Sequence, residues 1–237
     1  RPDTVLVSVM AANNEIGVLQ PLAAIGALCA SRGVAFHCDG AQLVGHAPLR
    51  PLELGIDLLS LSGHKFGGPQ GIGALVLAPG VTVAPQLHGG GQEGGRRSGT
   101  PPLPLIVGLA EALARSLADA SARGARLLAL RERLREGLEA LGGISVNGAL
   151  DPRLPHNLNV TVQGVDGGRL HRELRRWLAV SGGSACSSGA PSHVLQALGL
   201  SREAAAASVR FGLGRATTEA DIDGALAVFS RLLPALR

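Results

Sequence analysis

The sequence predicts an α/β fold built on a mostly parallel sheet, with a change of organisation near residue 121. Three observations lead there. Over the first 77 residues, short β-branched and apolar runs are interleaved with a helical segment, the rhythm of parallel crossovers. Polar residues gather where those runs end, and open α/β sheets hold their ligands at the carboxyl ends of strands. Composition then shifts within a pair of long amphipathic helices, which divides the chain into residues 1–121 and 122–237.

Residues 4–10 form a β-branched, apolar run, expected as a buried strand. A polar loop follows over 11–17. Residues 21–31 read as a helix, with Pro21 in the first turn and Gly33 at the end. Strands are expected at 34–38, closed by Asp39-Gly40, then at 56–61 and 73–77. Residues 81–104 make a glycine-rich connection holding His88-Gly89-Gly90-Gly91-Gln92-Glu93 and Arg97-Ser98-Gly99-Thr100. The helix pair covers about 105–122 and 126–141. Beyond it lie strands at 144–147 and 157–162, and a helix over 168–178. A Gly/Ser-rich loop around Cys186 comes next, then a short helix at 191–198, a strand at 208–213 and a helix at 217–233.

Composition excludes several classes of function. Four Phe, one Trp and no Tyr leave too few rings for a base-stacking platform, and the net charge of +4 is small. No nucleic-acid partner is therefore expected. The arginines at 126–135 alternate with Leu and Glu, as on the wet face of a helix. No apolar run approaches the ~18 residues of a membrane span, and no secretory leader is visible. Cys29, Cys38 and Cys186 are odd in number and fit no zinc spacing, so no metal site is expected and the compartment reads as reducing and cytoplasmic. The chain opens on Arg1 and its only methionine is Met10, so it reads as part of a longer product.

Of 22 basic side chains, 21 are arginine and one is lysine, Lys65. Arginine serves for solubility and ion pairing, but its guanidinium stays protonated. A lysine amine can lose its proton and condense with an aldehyde. Lys65 lies in Ser62-Gly63-His64-Lys65 just after a strand, 26 residues beyond Asp39 at the end of the preceding strand. Singly these are weak signals, since a strand-end aspartate is usually turn chemistry and Asn13-Asn14 reads the same way. Together they supply what a pyridine-type cofactor needs. The carboxylate keeps the ring nitrogen protonated, and the lysine holds the aldehyde and moves protons at a substrate carbon. Ser62 and His64 can bond a phosphate.

Cys29, on the apolar side of a helix, and Cys38, inside a strand, are expected to be buried. Cys186 has no apolar surroundings in Ser181-Gly182-Gly183-Ser184-Ala185-Cys186-Ser187-Ser188-Gly189 and reads as a presented thiol. Arg210, among apolar neighbours in a strand, needs an anionic partner, either an ordinary carboxylate or a substrate's.

The segments Asn13-Asn14-Glu15-Ile16-Gly17, Asp39-Gly40-Ala41-Gln42, Ser62-Gly63-His64-Lys65, His88-Gly89-Gly90-Gly91-Gln92-Glu93, Arg97-Ser98-Gly99-Thr100, Gly183-Ser184-Ala185-Cys186 and Arg210-Phe211 occur in the order and spacing of the cysteine desulfurases. The sequence resembles that family over essentially its whole length, and the setting of Cys186 resembles the branch that serves iron–sulfur cluster assembly and thio-modification.

The resemblance implies a fold-type-I, pyridoxal-phosphate-dependent enzyme of the class V aminotransferase kind. It further implies a homodimer, with a large cofactor domain and a smaller C-terminal α+β domain. It implies that Lys65 binds pyridoxal 5'-phosphate covalently. Asp39 would meet the ring nitrogen, Gln42 the ring hydroxyl, and Asn14 both ring and substrate. Ser62, His64 and the Thr100 of a second subunit would hold the phosphate. Arg210 would hold the carboxylate of L-cysteine, and Cys186 would take its sulfur as a persulfide and leave L-alanine. The family also has an N-terminal portion, not present here, that completes the sheet and the cofactor site. A sulfur acceptor or iron–sulfur scaffold protein is the implied partner. A selenocysteine lyase, another enzyme of the same fold, an inactive fragment or a non-catalytic sulfur carrier remain as alternatives.

Overall fold

Residues 1–183 and 192–237 are described by the structure, a computed structural model of the chain. They fall into two units. The first comprises Arg1–Ala11 and Gln20–Ala120, the second Ala12–Leu19 and Ser121–Arg237.

The first unit carries a four-stranded sheet in the order β1 (Leu6–Met10), β2 (Ala35–Asp39), β3 (Leu58–Ser62) and β4 (Gly73–Leu77). β1, β2 and β3 are mutually parallel. Helix α1 (Leu22–Arg32) makes the crossover from β1 to β2. It stops at Gly33, whose φ of 62° lets its N–H reach back to the Ala30 and Cys29 carbonyls. Leu22, Gly26 and Cys29 of α1 are buried, at the spacing of one helical face. Phe36 and Cys38 of β2 and Leu59 of β3 are buried as well. Both cysteines expected in packed elements are therefore in them.

Two expectations change. The run at 4–10 was expected to be buried, but β1 alternates, and Leu6 and Met10 are 50% and 39% exposed. β1 ends the sheet order, so one flank is unpaired among the described residues, and the face bearing Leu6, Ser8 and Met10 is open. The second change is β4, which runs antiparallel to β3, pairing Ser62 with Gly73 and Leu58 with Leu77. Only residues 63–72 join the two strands, fewer than the dozen or so a parallel crossover needs. The first part of that link is a one-turn 3-10 helix, Gly63–Phe66. Helix α2 (Leu103–Ala118) lies against it: Ser116 Oγ donates to the Phe66 carbonyl at 3.0 Å.

The second unit is built on an antiparallel sheet of β5 (Ile144–Val146), β6 (Asn157–Val162) and β7 (Ser208–Gly212). Its helices are α3 (Ala120–Ala140), α4 (Gly167–Leu174), α5 (His193–Ala197), α6 (Arg202–Ala206) and α7 (Glu219–Leu236). Every residue of β6 is buried, yet its sequence alternates. Leu158, Val160 and Val162 join Leu134 and Leu138 of α3, Leu174 of α4 and Phe229 of α7 in one core. Each such side chain contributes roughly 2 kcal/mol on burial. Asn157, Asn159 and Thr161 face the other way into a buried polar layer with Asn147 and Ser208.

That layer accounts for the grouping of residues 12–19 with the second unit. The Asn159 side-chain amide donates to the Glu15 carbonyl at 3.1 Å, and Gly17 approaches Asn157 so closely that a Cβ would lie 2.7 Å from its side chain. The arginines of α3 also divide. Arg133 pairs with Asp223 at the surface, as expected of a wet face, whereas Arg131 is 5% exposed and donates to the Leu154 carbonyl at 3.0 Å.

The packing of α1 is testable at its glycines. A Cβ on Gly26 would lie 1.9 Å from the Leu54 carbonyl oxygen, whereas Gly33 faces open space. Gly26→Ala is expected to destabilise by about 1–3 kcal/mol through overpacking, and Gly33→Ala by about 1 kcal/mol through its left-handed backbone alone. Urea midpoints of the two variants measure this, and a Gly26→Ala protein as stable as the wild type would contradict the packing.

Candidate active site

The cofactor candidates of the first unit stand at the carboxyl ends of adjacent parallel strands. Asp39 is the last residue of β2 and Ser62 the last of β3, and Asp39 pairs with Ser60 in the ladder. The Asp39 side chain is exposed, and its Oδ1 accepts the Ala41 N–H at 2.9 Å. One carboxylate oxygen thus closes the turn and orients the other. Gln42 is half-buried in the same turn.

Lys65 lies in the 3-10 turn rather than in an open loop. Several bonds hold its backbone. Gly63 N–H donates to Ile72 at 3.0 Å, Gly68 N–H to Gly63 at 2.9 Å, and His46 Nε2 contacts the Lys65 carbonyl at 3.1 Å. Phe66 is buried beneath the turn. The Lys65 side chain is exposed, and its ammonium has no hydrogen-bond or ion-pair partner among the described residues. Ser62 Oγ and His64 Nδ1 are 2.9 Å apart, a hydroxyl and an imidazole already turned toward each other. Thr100 lies in a loop tied by Gly99 N–H to Gln92 Oε1 at 3.0 Å and Ser98 Oγ to the His88 carbonyl at 3.1 Å. Among the described residues no hydrogen bond brings Thr100 to Asp39, Ser62 or Lys65.

These residues fit the pyridine cofactor. A carboxylate with a free oxygen, a primary amine with no competing partner and a Ser–His pair occupy neighbouring strand ends on a turn held from beneath. The chemistry of this donor set matches a protonated ring nitrogen, an aldehyde and a phosphate, in that order.

Sequence reasoning missed the layer below. His37 Nδ1 lies 2.7 Å from Ser8 Oγ and its Nε2 3.1 Å from Ser60 Oγ, so one imidazole joins β1, β2 and β3. The signal was present: Ser8, His37 and Ser60 each occupy the middle of a five-residue, otherwise largely apolar strand. Polar groups so placed need partners.

The substrate candidates belong to the second unit. Arg210, half-buried in the middle of β7, donates from Nη1 to the Asn14 carbonyl at 2.8 Å and from Nε to Ser181 Oγ at 3.0 Å. Two of its five N–H groups are so used, and the rest of the fork remains for a carboxylate. Asn14 is half-buried in a turn whose start is closed by Asn13 Oδ1, which accepts the Glu15 and Ile16 N–H groups. Cys186 falls within 184–191, outside the described residues.

The two other cysteines are poor nucleophiles. Cys38 is fully buried; burial first, and the nearby Asp39 charge second, push its thiol up to about 11. Cys29 is closed into α1. Among the described residues no cluster of His, Cys, Asp and Glu is suited to a metal.

The family model for aminotransferase class-V matches residues 1–224. A cysteine desulfurase IscS of Vibrio atlanticus is 52% identical over 231 residues, covering 96% of this chain. The chain spans 57% of that protein's length. Among solved structures, a NifS-like protein from Rickettsia africae superposes with a TM-score of 0.90 at 31% identity, over 98% of this chain and 62% of the other. A structure described as SspA in complex with cysteine is 39% identical with a TM-score of 0.74, over 90% of this chain and 60% of the other.

Because the fold favours the protonated Cys38 thiol, its contribution to stability is full below the ordinary value of 9.0 and declines as pH rises toward about 11. In the native protein at pH 7.5, neither Cys29 nor Cys38 is expected to react with a disulfide reagent, and both should react in denaturant. Rapid native modification of Cys38, mapped by mass spectrometry, would contradict its burial.

Proposed function

We propose that this chain, which belongs to the aminotransferase class-V family, forms part of a cysteine desulfurase dependent on pyridoxal 5'-phosphate. The fold is that of the fold-type-I enzymes, as the NifS-like superposition shows. The observation that carries the functional reading is the placement of Asp39 and the Ser62–Lys65 turn at the ends of neighbouring parallel strands, with the amine unpartnered among the described residues. The identity to IscS supports the activity, and the SspA structure with cysteine supports the substrate class.

In this reading the unbonded oxygen of Asp39 keeps the proton on the ring nitrogen, and Gln42 bonds the ring hydroxyl. Ser62 and His64, with Thr100 of a second subunit, hold the phosphate. Lys65 Nζ would hold the aldehyde and would move the proton at the substrate α-carbon. The bound cofactor supplies an electron sink for charge developing at that carbon. Asn14 stands by ring and substrate. Arg210 holds the α-carboxylate of L-cysteine through the N–H groups that Asn14 and Ser181 leave free. The Cys186 thiolate attacks the substrate sulfur; the S–S bond forms as the C–S bond breaks. The balance is L-cysteine plus enzyme thiol to L-alanine plus enzyme persulfide.

The persulfide calls for a protein acceptor, and a sulfur-acceptor or iron–sulfur scaffold protein is the partner class we assign. The assignment of Thr100 to a neighbouring site makes the working unit a homodimer. Two buried free thiols support a reducing, cytoplasmic setting. No helix among the described residues is long and apolar enough to cross a membrane.

The test uses the full-length protein. It should release L-alanine from L-cysteine and carry label from the substrate sulfur as persulfide on Cys186. Cys186→Ala should retain cofactor and lose persulfide by at least about a hundredfold, some 3 kcal/mol of barrier. Arg210→Lys, which cannot bond Asn14, Ser181 and a carboxylate at once, should raise KM for L-cysteine about tenfold with a smaller change in kcat. Persulfide formation surviving in Cys186→Ala, or a preference for transamination or for selenocysteine over cysteine, would overturn the assignment.

A further inference from the structure

We propose that Glu15 is a positioning residue for the nucleophile: its buried side chain fixes Ser192, and with it one end of the segment that carries Cys186. The proposal rests on the reading of Cys186 as the thiol that takes the substrate sulfur.

Glu15 is 1% exposed, and none of the roles assigned above uses its side chain. A buried carboxyl group is costly unless it is well bonded. No Arg, Lys or His forms an ion pair with it among the described residues. Ser192, itself 2% exposed, donates its hydroxyl to Glu15 Oε2. The same Ser192 Oγ accepts the Leu195 N–H at 3.1 Å and caps α5. Both partners are shielded from water by their burial, which strengthens the contact, and Ile16, next to Glu15, and Leu195, bonded to Ser192, share one buried apolar cluster with Ala205.

The backbone of Glu15 is fixed independently. Its N–H donates to Asn13 Oδ1 at 2.8 Å, and its carbonyl receives the Asn159 amide at 3.1 Å. Glu15 is therefore a rigid post, and Ser192 is what it holds.

The adjacent residue of the turn bears on the other end of the same segment. The Asn14 carbonyl receives Arg210 Nη1 at 2.8 Å, and Arg210 Nε reaches Ser181 Oγ at 3.0 Å. Ser181 and Arg210 also exchange backbone bonds, at 3.3 and 2.6 Å. Residues 181 and 192 flank the stretch containing Cys186, and both are referred to one turn, at Asn14 and Glu15. The turn that would sense the substrate carboxylate through Arg210 also sets where the thiol-bearing stretch is attached.

The experiment compares Glu15→Ala, Glu15→Gln and Ser192→Ala in the full-length, cofactor-loaded protein. It reads kcat and KM for alanine release from L-cysteine, the cofactor absorbance, and amide exchange of the peptide spanning 192–198. Glu15→Ala and Ser192→Ala should each lower kcat about tenfold, with KM and absorbance unchanged and exchange of that peptide faster. The double variant should be no worse than either single one, since both remove the same bond. Glu15→Gln keeps an oxygen that accepts the Ser192 hydroxyl and should recover most of the rate. An unchanged kcat in Ser192→Ala, additive losses in the double variant, or a Glu15→Gln protein as impaired as Glu15→Ala would overturn the proposal. If Glu15→Ala does not fold, Ser192→Ala, which removes a single oxygen, decides. If the wild type makes no alanine from L-cysteine, the desulfurase reading falls by itself. The anchor is then judged on exchange at 192–198 in Ser192→Ala: faster supports it and unchanged overturns it.

Discussion

The parallel pairing of β2 with β3 is the constraint on which the candidate site depends. Two neighbouring strands running the same way finish at the same edge of the sheet, so Asp39, paired with Ser60, and Ser62, two residues further on, reach that edge together. The 3-10 turn then lifts Lys65 out of the sheet, and β4 returns antiparallel at once, which pins the turn at both ends. α2 closes from behind through Ser116. A one-residue slip between β2 and β3 would send Asp39 to the opposite face. The His37 bridge between Ser8 and Ser60 opposes such a slip one layer below.

The second unit solves a different problem with the same economy of parts. β6 is buried on both faces, but only one face is apolar. The other is a hydrogen-bonded layer of Asn147, Asn159, Thr161 and Ser208 that accepts residues 12–19. Buried polar layers specify geometry because each member must find its partner. Here the consequence is that the turn carrying Asn14 and Glu15 belongs, by its contacts, with Arg210 and Ser192, although in sequence it follows β1.

How much of this was legible beforehand follows from what each signal encodes. Strand and helix periods are local, so the α/β rhythm, α1 and its Gly33 stop could be read directly. The places of Asp39 and Lys65 at strand ends could be read because each follows closely on an apolar run. Exposure of β1 could not, because an apolar run reports what a strand can bury and not whether anything covers it. The direction of β4 was available in the shortness of 63–72 but was overridden by the parallel rhythm before it. In sequence Glu15 is one member of the polar loop over 11–17. Its partner Ser192 lies 177 residues away, a separation no local pattern reports. The same holds for Arg131: an alternating Arg/Leu/Glu run looks wet throughout, and the Leu154 carbonyl is what sets this arginine apart.

On the proposed reading, strand register delivers Lys65, and no other amine, to the cofactor. The most direct measurement is borohydride reduction of the full-length protein loaded with pyridoxal 5'-phosphate, followed by digestion and mass mapping of the reduced adduct. A single adduct is expected, on Lys65, the only lysine in this chain. An adduct on any other amine of the protein, or cofactor bound with no reducible linkage, would contradict it.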